Sequence, residues 1–432
     1  MLLSATSDLP WWHALGDVYL QEAVTQALTH SPQLYLEQDG ITEARAQQTE
    51  IFAGAFPTVT LDASNTMTPS STIGFSVGIS GSTQDRPPVF FNGSVLATLR
   101  YRLDIFGSSY VAYRGIKRTV AARRAQADSV AAQAAMDVAS AYLNAVATSH
   151  QLRVADAQVA SNTRLENLLA QRYSHGDADF LDVLQARTQL AQSRGRVPLI
   201  RASMRAAIQR MHALAGLAPT SDTLKIAENL PNAPPLLSME NNEALIEARP
   251  DLRAATALHE AARDRMRVQF REAYLPQLSI TAQGGMLWRH ITTTDTQNIW
   301  STGAVLSVPL TSFGGPNAKV RQLEAQERAA KHRVDGLVLE AERQVSTALM
   351  QDVEQQTRLV AQRELLKITR QTFEGSQSRY MAGVGTALQV FTALALFQNA
   401  ELACIEAERD ALLARIAVYH TAGGSWTRGL VR

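Results

Sequence analysis

The clearest candidates for function are two short segments in which an arginine and a tyrosine precede a glycine at the same spacing. They are Arg172, Tyr173 and Gly176, and Arg379, Tyr380 and Gly383. A glycine that follows a helical run is typical of a left-handed helix end, and a nearby arginine suits the negative end of the helix dipole. Both segments are therefore expected to be turns that end helices.

Three carboxylates follow the first glycine, as Asp177, Asp179 and Asp182. Asp177 and Asp179 are expected to cap the next helix, whose N-terminus favours negative charge. Asp182 lies one turn further along. In the second segment, Gln389 and Thr392 stand in place of carboxylates.

The sequence offers little for catalysis or for metal binding. The run Gly74–Gly78 has the G-x-S-x-G spacing, but a nucleophile elbow needs a strand, a sharp turn and a helix, and here a loop rich in glycine and serine follows. The nine histidines show no metal-binding spacing, and Cys404 sits between apolar residues of a helical stretch. We expect no catalytic residue, cofactor or metal.

Composition narrows the class of protein. The 432 residues include 41 basic and 40 acidic side chains, and this balance argues against a nucleic-acid binder. A single cysteine excludes a disulfide framework, and no uninterrupted apolar run reaches the length of a membrane helix. Aromatic residues make up only 6% of the chain, and alanine is abundant. This composition favours long packed helices.

The chain is an internal duplication. Arg172 and Arg379 are separated by 207 residues, and the same separation relates Ala215 to Ala422. Upstream the separation changes, because Pro57 corresponds to Pro276. We predict a first repeat over 1–218, a proline-rich linker over 219–239, a second repeat over 240–424 and a tail over 425–432.

Each half shows the same order of elements. A helix over Val18–Ala53, broken at Pro32, precedes two strands with alternating polarity in the first half. Polar loops are expected over Ser70–Asn92 and Arg289–Asn298. Proline-free helical stretches follow the strands, and return helices follow the glycines. The predicted helices are Ser108–Tyr173, Phe180–Ala215, Asn317–Tyr380 and Ala387–Ala422.

Four amphipathic strands per chain are too few to close a barrel and would leave open edges. In a membrane only closed barrels satisfy every strand backbone group, and three chains would supply twelve strands. The expected fold class is mainly α with a small β part. Long antiparallel helical hairpins would form an α-barrel, and four strands per chain would contribute to a trimeric β-barrel.

Several motifs in this order resemble the TolC-like outer membrane efflux proteins, and the NodT-type lipoprotein subgroup most of all. The resemblance covers about Trp11 to Trp426. Its motifs are Trp11–Asp17, Tyr101–Gly107, Pro309–Gly315, the two Arg-Tyr-x-x-Gly segments and Ala422–Trp426. The chain departs from the subgroup at Thr6, where the acylated cysteine of a lipoprotein would stand.

The resemblance implies a homotrimeric duct through the Gram-negative outer membrane and across the periplasm. Export would be passive, driven by an inner-membrane pump, commonly of the resistance-nodulation-division class, through a periplasmic adaptor. The two Arg-Tyr-x-x-Gly turns would dock the adaptor. Acidic residues at this end would hold the channel shut and favour cations, so we expect a constriction at the first turn, with Leu388 or Phe391 as an apolar plug.

Other functions remain open on the sequence alone. The same family includes channels for type I protein secretion and for metal-ion efflux, although multidrug or other small-organic efflux is favoured because no methionine or histidine cluster marks a metal route. The alternative from a different class of protein function is a soluble helical scaffold. The basic group from Arg114 to Arg124 is expected to be a solvated helix face.

Overall fold

The structure is a computed structural model of the chain. It describes residues 3–4, 10–69, 89–219, 224–235, 237–238, 249–290, 294–308 and 314–430. Thr6, the Gly74–Gly78 run and most of Pro309–Gly315 lie outside these ranges.

Helices dominate the described chain. They are α1 Trp11–Ala14, α2 Val18–His30, α3 Pro32–Ala53, α4 Ser108–Ser174, α5 Phe180–Leu214, α6 Pro250–Tyr274, α7 Gly315–Met381 and α8 Ala387–Ala422. A short 3₁₀ turn follows at Ser425–Thr427. Both α4 and α7 have 67 residues, so each is about 100 Å long at 1.5 Å per residue. The predicted break at Pro32 and the two long hairpins are confirmed.

The strands are β1 Leu3–Ser4, β2 Thr58–Pro69, β3 Val89–Leu103, β4 Leu237–Ser238, β5 Gln277–His290 and β6 Thr294–Ser307. The predicted loops were too long, because Val89–Asn92, Arg289–His290 and Thr294–Asn298 belong to strands. Threonine at 294 and 296 is β-branched and suits a strand as well as a loop. The alternation between polar and apolar residues along the sequence therefore ends before the strands do.

The chain divides into two compact units, and each takes segments from both halves of the sequence. Unit 1 comprises residues 1–41, 122–255 and 333–432, and unit 2 comprises residues 42–121 and 256–332.

The main core lies in unit 1 and joins both chain ends. Trp12 packs edge-on against Trp426, with ring centres 5.6 Å apart. Tyr142 is fully buried, donates a hydrogen bond of 2.6 Å to Asp17 and accepts one from the backbone N–H of Ala227. Asp17 also caps α2 through the backbone N–H of Tyr19. One carboxylate thus fixes α2 to the middle of α4.

Two arginines hold the beginning of α4 to α6 in unit 2. Asp264 on α6 is fully buried. It accepts hydrogen bonds from Arg114 at 2.5 and 3.0 Å and from Arg118 at 2.8 Å. The expectation of a solvated basic face is therefore wrong for Arg114 and Arg118, because one α4 turn separates them and both reach the same carboxylate.

In the described part of the chain, α8 is the one helix long and apolar enough to cross a membrane by length and composition. Leu412, Ile416 and Tyr419 on this helix belong to the core of unit 1. These three apolar side chains therefore have partners inside the protein.

Candidate functional site

The candidate site has two parts, a four-stranded sheet in unit 2 and the pair of hairpin turns in unit 1. The sheet is antiparallel, with the order β2, β3, β5, β6. The central pairing joins the two halves of the sequence, since β3 pairs with β5 from Phe91–His290 to Leu103–Leu278. Strands β2 and β6 are edges, and each has one side without a strand partner among the described residues.

The pairing register sorts the side chains onto two faces. One face is mostly apolar and carries Val59, Leu61, Ala63, Val95, Leu99, Tyr101, Leu278, Ile280, Ala282, Met286, Trp300, Ala304 and Leu306. The other is mostly polar and carries Thr58, Thr60, Asp62, Ser64, Thr98, Arg100, Ser279, Thr281, Gln283, Gln297 and Ser301. On the apolar face Trp300 is 82% exposed and Leu61 is 73% exposed. Such a sheet suits hydrocarbon on one side and water on the other.

A glycine makes room for the large aromatic side chain on the apolar face. Gly93 is directly opposite Trp288, and a Cβ at this glycine would lie 2.0 Å from the indole ring. The ring can therefore lie flat on the strand, a close approach that only glycine permits.

The junction from the sheet to the long helix is capped by a residue of the Tyr101–Gly107 motif. The Asp104 carboxylate accepts hydrogen bonds from the backbone N–H groups of Ser108 at 2.6 Å and Ser109 at 2.8 Å. These N–H groups open α4 and have no partner within the helix. Arg271 of α6 donates a 2.8 Å hydrogen bond to the carbonyl of Gly107, which has φ +70°. Sequence reasoning missed this capping role.

The two hairpin turns are built identically, as the repeated motif predicts. In the first, the N–H of Asp177 donates to the carbonyl of Arg172 at 2.9 Å, and the N–H of Gly176 donates to that of Tyr173 at 3.0 Å. In the second, Val384 and Gly383 make the same bonds at 3.0 and 3.1 Å. Gly176 and Gly383 have φ values of +83° and +77°. Both helices end in Schellman motifs, so the predicted glycine cap is confirmed.

The helices that follow the turns are capped by different side chains at equivalent positions. Asp179 accepts a hydrogen bond from the N–H of Leu181 at the start of α5. At the start of α8, Thr386 and Gln389 form a capping box. The expected capping by Asp179 is confirmed, whereas Asp177 serves the turn through its backbone N–H. Thr392 donates to the carbonyl of Leu388 one turn further along.

A small network joins the two turns. The guanidinium carbon of Arg172 lies 5.9 Å from the ring centre of Tyr380. Asp182 interacts with the same tyrosine from the other end of the first turn. Burial and the charge of Asp182 raise the pKa of Tyr380, and Arg172 opposes this shift. The structure thus brings together three of the predicted site residues, Arg172, Asp182 and Tyr380. Tyr173 instead contacts Phe180 of the same hairpin, with ring centres 5.5 Å apart.

An apolar cluster lies beneath this network and contains Leu169, Val183, Ala186, Ala387 and Phe391. Phe391 is 8% exposed and packs against the first hairpin. Its proposed role as a plug is therefore corrected, because its side chain is enclosed between helices. Leu388 is 60% exposed, so its side chain is accessible for the proposed apolar plug.

Buried amides fix the register between the hairpins further along. Gln398 of α8 is 3% exposed. Its amide donates to Asn162 at 2.9 Å and accepts from Gln189 at 3.0 Å, while Gln158 donates to its carbonyl. The sequence analysis did not identify these residues. The one signal that could have indicated them is that amide side chains stand at positions where the amphipathic helices otherwise carry apolar residues. Within the described ranges, no three histidine, cysteine or carboxylate side chains are placed to hold a metal ion.

Comparisons with known proteins agree with this architecture. The profile of the outer membrane efflux protein family matches twice, over residues 23–217 and 242–424. The chain is 27% identical to the pyoverdine export outer membrane protein OpmQ of Pseudomonas aeruginosa, over 99% of this chain and 91% of that protein. It is 24% identical to nodulation protein T of Rhizobium leguminosarum bv. trifolii, over 89% and 80% of the two chains.

Solved structures show the same fold. The outer-membrane channel OprN has a TM-score of 0.85 at 24% identity, over 96% of this chain and 92% of that chain. The outer membrane protein VceC of Vibrio cholerae has a TM-score of 0.81 at 20% identity, over 96% and 98% of the two chains.

Duplicated helical hairpins joined to a two-faced sheet define the fold that this chain shares with OprN and VceC. The chain belongs to the outer membrane efflux protein family. It is an efflux channel protein of the Gram-negative outer membrane that extends into the periplasm. The internal duplication is confirmed by the double match of the family profile.

Proposed function

We propose that three copies of this chain form the passive exit duct of a tripartite efflux pump. Their sheets close into a twelve-stranded barrel in the outer membrane, and their hairpins form an α-barrel in the periplasm. A periplasmic adaptor and an inner-membrane pump of the resistance-nodulation-division class deliver the cargo. The repeats over 1–218 and 240–424, with the linker 219–239 and the tail 425–432, are the building units.

The observation that carries this proposal is the two-faced sheet with two unpaired edges. An apolar face with a tryptophan 82% exposed is unfavourable in water. An unpaired strand edge is equally unfavourable in hydrocarbon, because every backbone polar group there needs a partner. Closure of four strands per copy into one barrel pairs both edges, and the hydrocarbon around that barrel covers the apolar face.

Small organic compounds are the proposed cargo. Relatives are named for the export of pyoverdine and for the efflux of toluene, the latter at 23% identity over 98% of this chain. These names support an organic cargo over a polypeptide or a metal ion. Because the pump selects the cargo in such systems, the duct itself is expected to be permissive.

The purified protein tests the channel directly. Reconstitution into a planar bilayer is expected to give stepwise conductance, and sedimentation in detergent is expected to give the mass of three chains. A protein that leaves the membrane fraction without detergent and gives no conductance would support the soluble scaffold instead.

The proposed docking of the adaptor at the two turns has its own test. The double substitution Arg172→Glu and Arg379→Glu reverses the side-chain charge at one equivalent position in each turn. It is expected to weaken adaptor binding by about tenfold or more. The substitutions Gln171→Glu and Ser378→Glu, at the adjacent exposed positions, are the matched control and should have a much smaller effect. A double arginine variant that assembles, binds the adaptor normally and supports export would contradict docking at these arginines.

A further inference from the structure

A cavity of about 620 Å³ lies among four helices of unit 2. The helices are α3, α4, α6 and α7, and each of them precedes or follows a strand of the sheet along the chain. The described residues that line the cavity belong to these helices and not to the sheet or the hairpin turns. A volume of this size is typical of sites that hold a small organic molecule.

The cavity has an apolar floor and a polar rim. The floor consists of buried or half-buried side chains, namely Ile51, Val111, Ala112, Ile116, Val268 and Leu323. The rim consists of Gln47, Glu50, Arg265 and Gln269. Glu50 and Arg265 are exposed, and neither forms an ion pair with another residue that the structure describes. An apolar floor with a few polar groups at its edge is the usual construction of a site for an amphipathic molecule.

The cavity opens on the same side as the polar face of the sheet. On α6, Arg265 and Gln269 precede Glu272 by seven and three residues, so all three share one face of the helix. Glu272 forms an ion pair of 3.6 Å with Arg102 of β3. Arg102 is two residues beyond Arg100 on the same strand and therefore lies on the polar face.

Exposed aromatic side chains lie on the opposite side of the same helices. On α6, Phe270 and Tyr274 are 50% and 44% exposed, with ring centres 5.0 Å apart. Each is two residues from Glu272, which is about 200° around the helix. Phe52 and Phe56 are likewise exposed on the side of α3 away from the cavity. Because aromatic girdles flank the lipid-facing band of membrane barrels, the cavity lies on the side away from lipid.

We infer that this cavity is a binding site for small amphipathic organic molecules on the inner wall of the proposed duct. The inference rests on the duct proposed above and adds a place where the cargo is held. The apolar body of the molecule displaces water from the floor. A cationic group of the molecule meets Glu50 at the rim, and an anionic group meets Arg265. Because the rim carries one charge of each sign, the site accepts cargo of either sign, as a permissive duct requires.

The exposure of the rim makes the binding weak. An ion pair with Glu50 or Arg265 forms in contact with water and contributes little affinity. Most of the affinity therefore comes from the burial of the apolar body against the floor. Cargo held in this way dissociates readily, so the site does not obstruct the duct.

A cysteine at the rim tests which side the cavity faces. Gln269→Cys is made in a Cys404→Ala background, since Cys404 is the one cysteine of the sequence. The anionic reagent 2-sulfonatoethyl methanethiosulfonate is added during planar-bilayer recording. It is expected to change the single-channel current, because the added charges project into the water-filled path. Phe270→Cys, on the opposite face of α6, is the matched control and should leave the current unchanged. An unchanged current after modification of Gln269→Cys would overturn the position on the inner wall.

Protection of the same cysteine tests binding. The probes are 1-naphthylmethylamine and naphthalene-1-sulfonate, which carry opposite charges on the same aromatic body. At millimolar concentration each is expected to slow the reaction of purified Gln269→Cys protein with uncharged methyl methanethiosulfonate by about threefold or more. Ala112→Phe fills the cavity and should abolish the protection. Ala121→Phe, at an exposed position on the other face of α4, is the control and should preserve it.

The two rim charges have separate tests. Glu50→Gln should reduce the protection by the amine about twofold to fivefold and spare that by the sulfonate, whereas Arg265→Gln should do the reverse. Arg263→Gln, exposed on the other face of α6, is the control and should change neither. Failure of both probes to protect the cysteine, or equal protection in the Ala112→Phe variant, would overturn the site. A protein whose cysteine is protected but which gives no conductance would instead overturn the proposed duct.

Discussion

The guanidinium group of Arg172 lies over the ring of Tyr380, with its central carbon 5.9 Å from the ring centre. These side chains come from different hairpins, and the carboxylate of Asp182 interacts with the same tyrosine. A charged network thus holds the two turns of one chain together at the position where the proposed duct would narrow. Because Arg172 and Asp182 both act on Tyr380, loss of either is expected to loosen the pair of turns.

The first prediction concerns ion selectivity. Asp182→Ala is expected to reduce the cation preference of single channels, because three copies would lose three carboxylates near one opening. It should also raise the basal conductance, because Tyr380 loses a partner. Reversal potentials across a salt gradient measure the cation preference. The difference between the variant and the parent protein should shrink at high salt, where charges are screened. Asp182→Glu, which keeps the charge, is the control, and an unchanged selectivity in the alanine variant would exclude a role in the constriction.

A second prediction concerns the buried carboxylate of unit 2. Asp264→Asn is expected to destabilise the protein by about 3–5 kcal/mol, because it leaves the guanidinium groups of Arg114 and Arg118 without a buried counter-charge. Urea unfolding in detergent, followed by tryptophan fluorescence, measures the loss. Glu260→Gln is the matched control, because Glu260 pairs with Arg118 at 3.0 Å but is 48% exposed, and its loss should cost less than about 1 kcal/mol. Equal effects of the two substitutions would show that burial of Asp264 contributes little.

These contacts show where sequence reasoning stops. The repeat predicted both hairpins and both glycine turns, because a helix end is set by residues within one or two turns of it. It did not predict that Arg114 and Arg118 meet Asp264, because the partners are about 150 residues apart and no local pattern relates them. The expectation that Phe391 forms a plug was wrong for a similar reason, since the pattern of residues on a helical face does not show which neighbouring helix covers that face.

The prediction of the strand ends was limited by the chemistry of the residues there rather than by the distance between partners along the chain. Residues such as Thr294 and Thr296 are polar enough for a loop and β-branched enough for a strand. Their polar side chains hid the continuation of the ladder, although each residue pairs with a residue of β5. The polar and apolar faces were predictable wherever the alternation was strict.

A third prediction concerns the close approach on the apolar face of the sheet. Gly93→Ala is expected to destabilise the protein by about 1–3 kcal/mol, because the added methyl group would meet the indole of Trp288. In the double variant with Trp288→Ala the glycine substitution should cost much less, so the two effects should be strongly non-additive. Gly284→Ala is the control, since its nearest contact would be 3.8 Å away. The yield of heat-resistant folded protein in detergent measures each effect, and additive losses would argue against the contact.

The last prediction concerns acid sensitivity of the helical unit. Burial lowers the pKa of His420 below 6.5, and Arg249 lowers it further, whereas Asp137 and Asp251 partly oppose the shift. The Nδ1 atom of His420 has no hydrogen-bond partner among the described residues. Since the unfolded chain takes up the proton at about pH 6.5 and the folded chain only at lower pH, stability is fully present above pH 6.5 and falls as the pH drops below it.

The expected loss is at most about 1.4 kcal/mol for each pH unit between the two pKa values. Urea midpoints at pH 7.5 and pH 5.0 measure it. His420→Gln removes the titrating group and should flatten this part of the pH dependence, although it can lower stability at both pH values. His175→Gln, at the exposed first turn, is the control and should leave the slope unchanged. A His420→Gln variant with the same slope as the parent would show that acid sensitivity arises elsewhere.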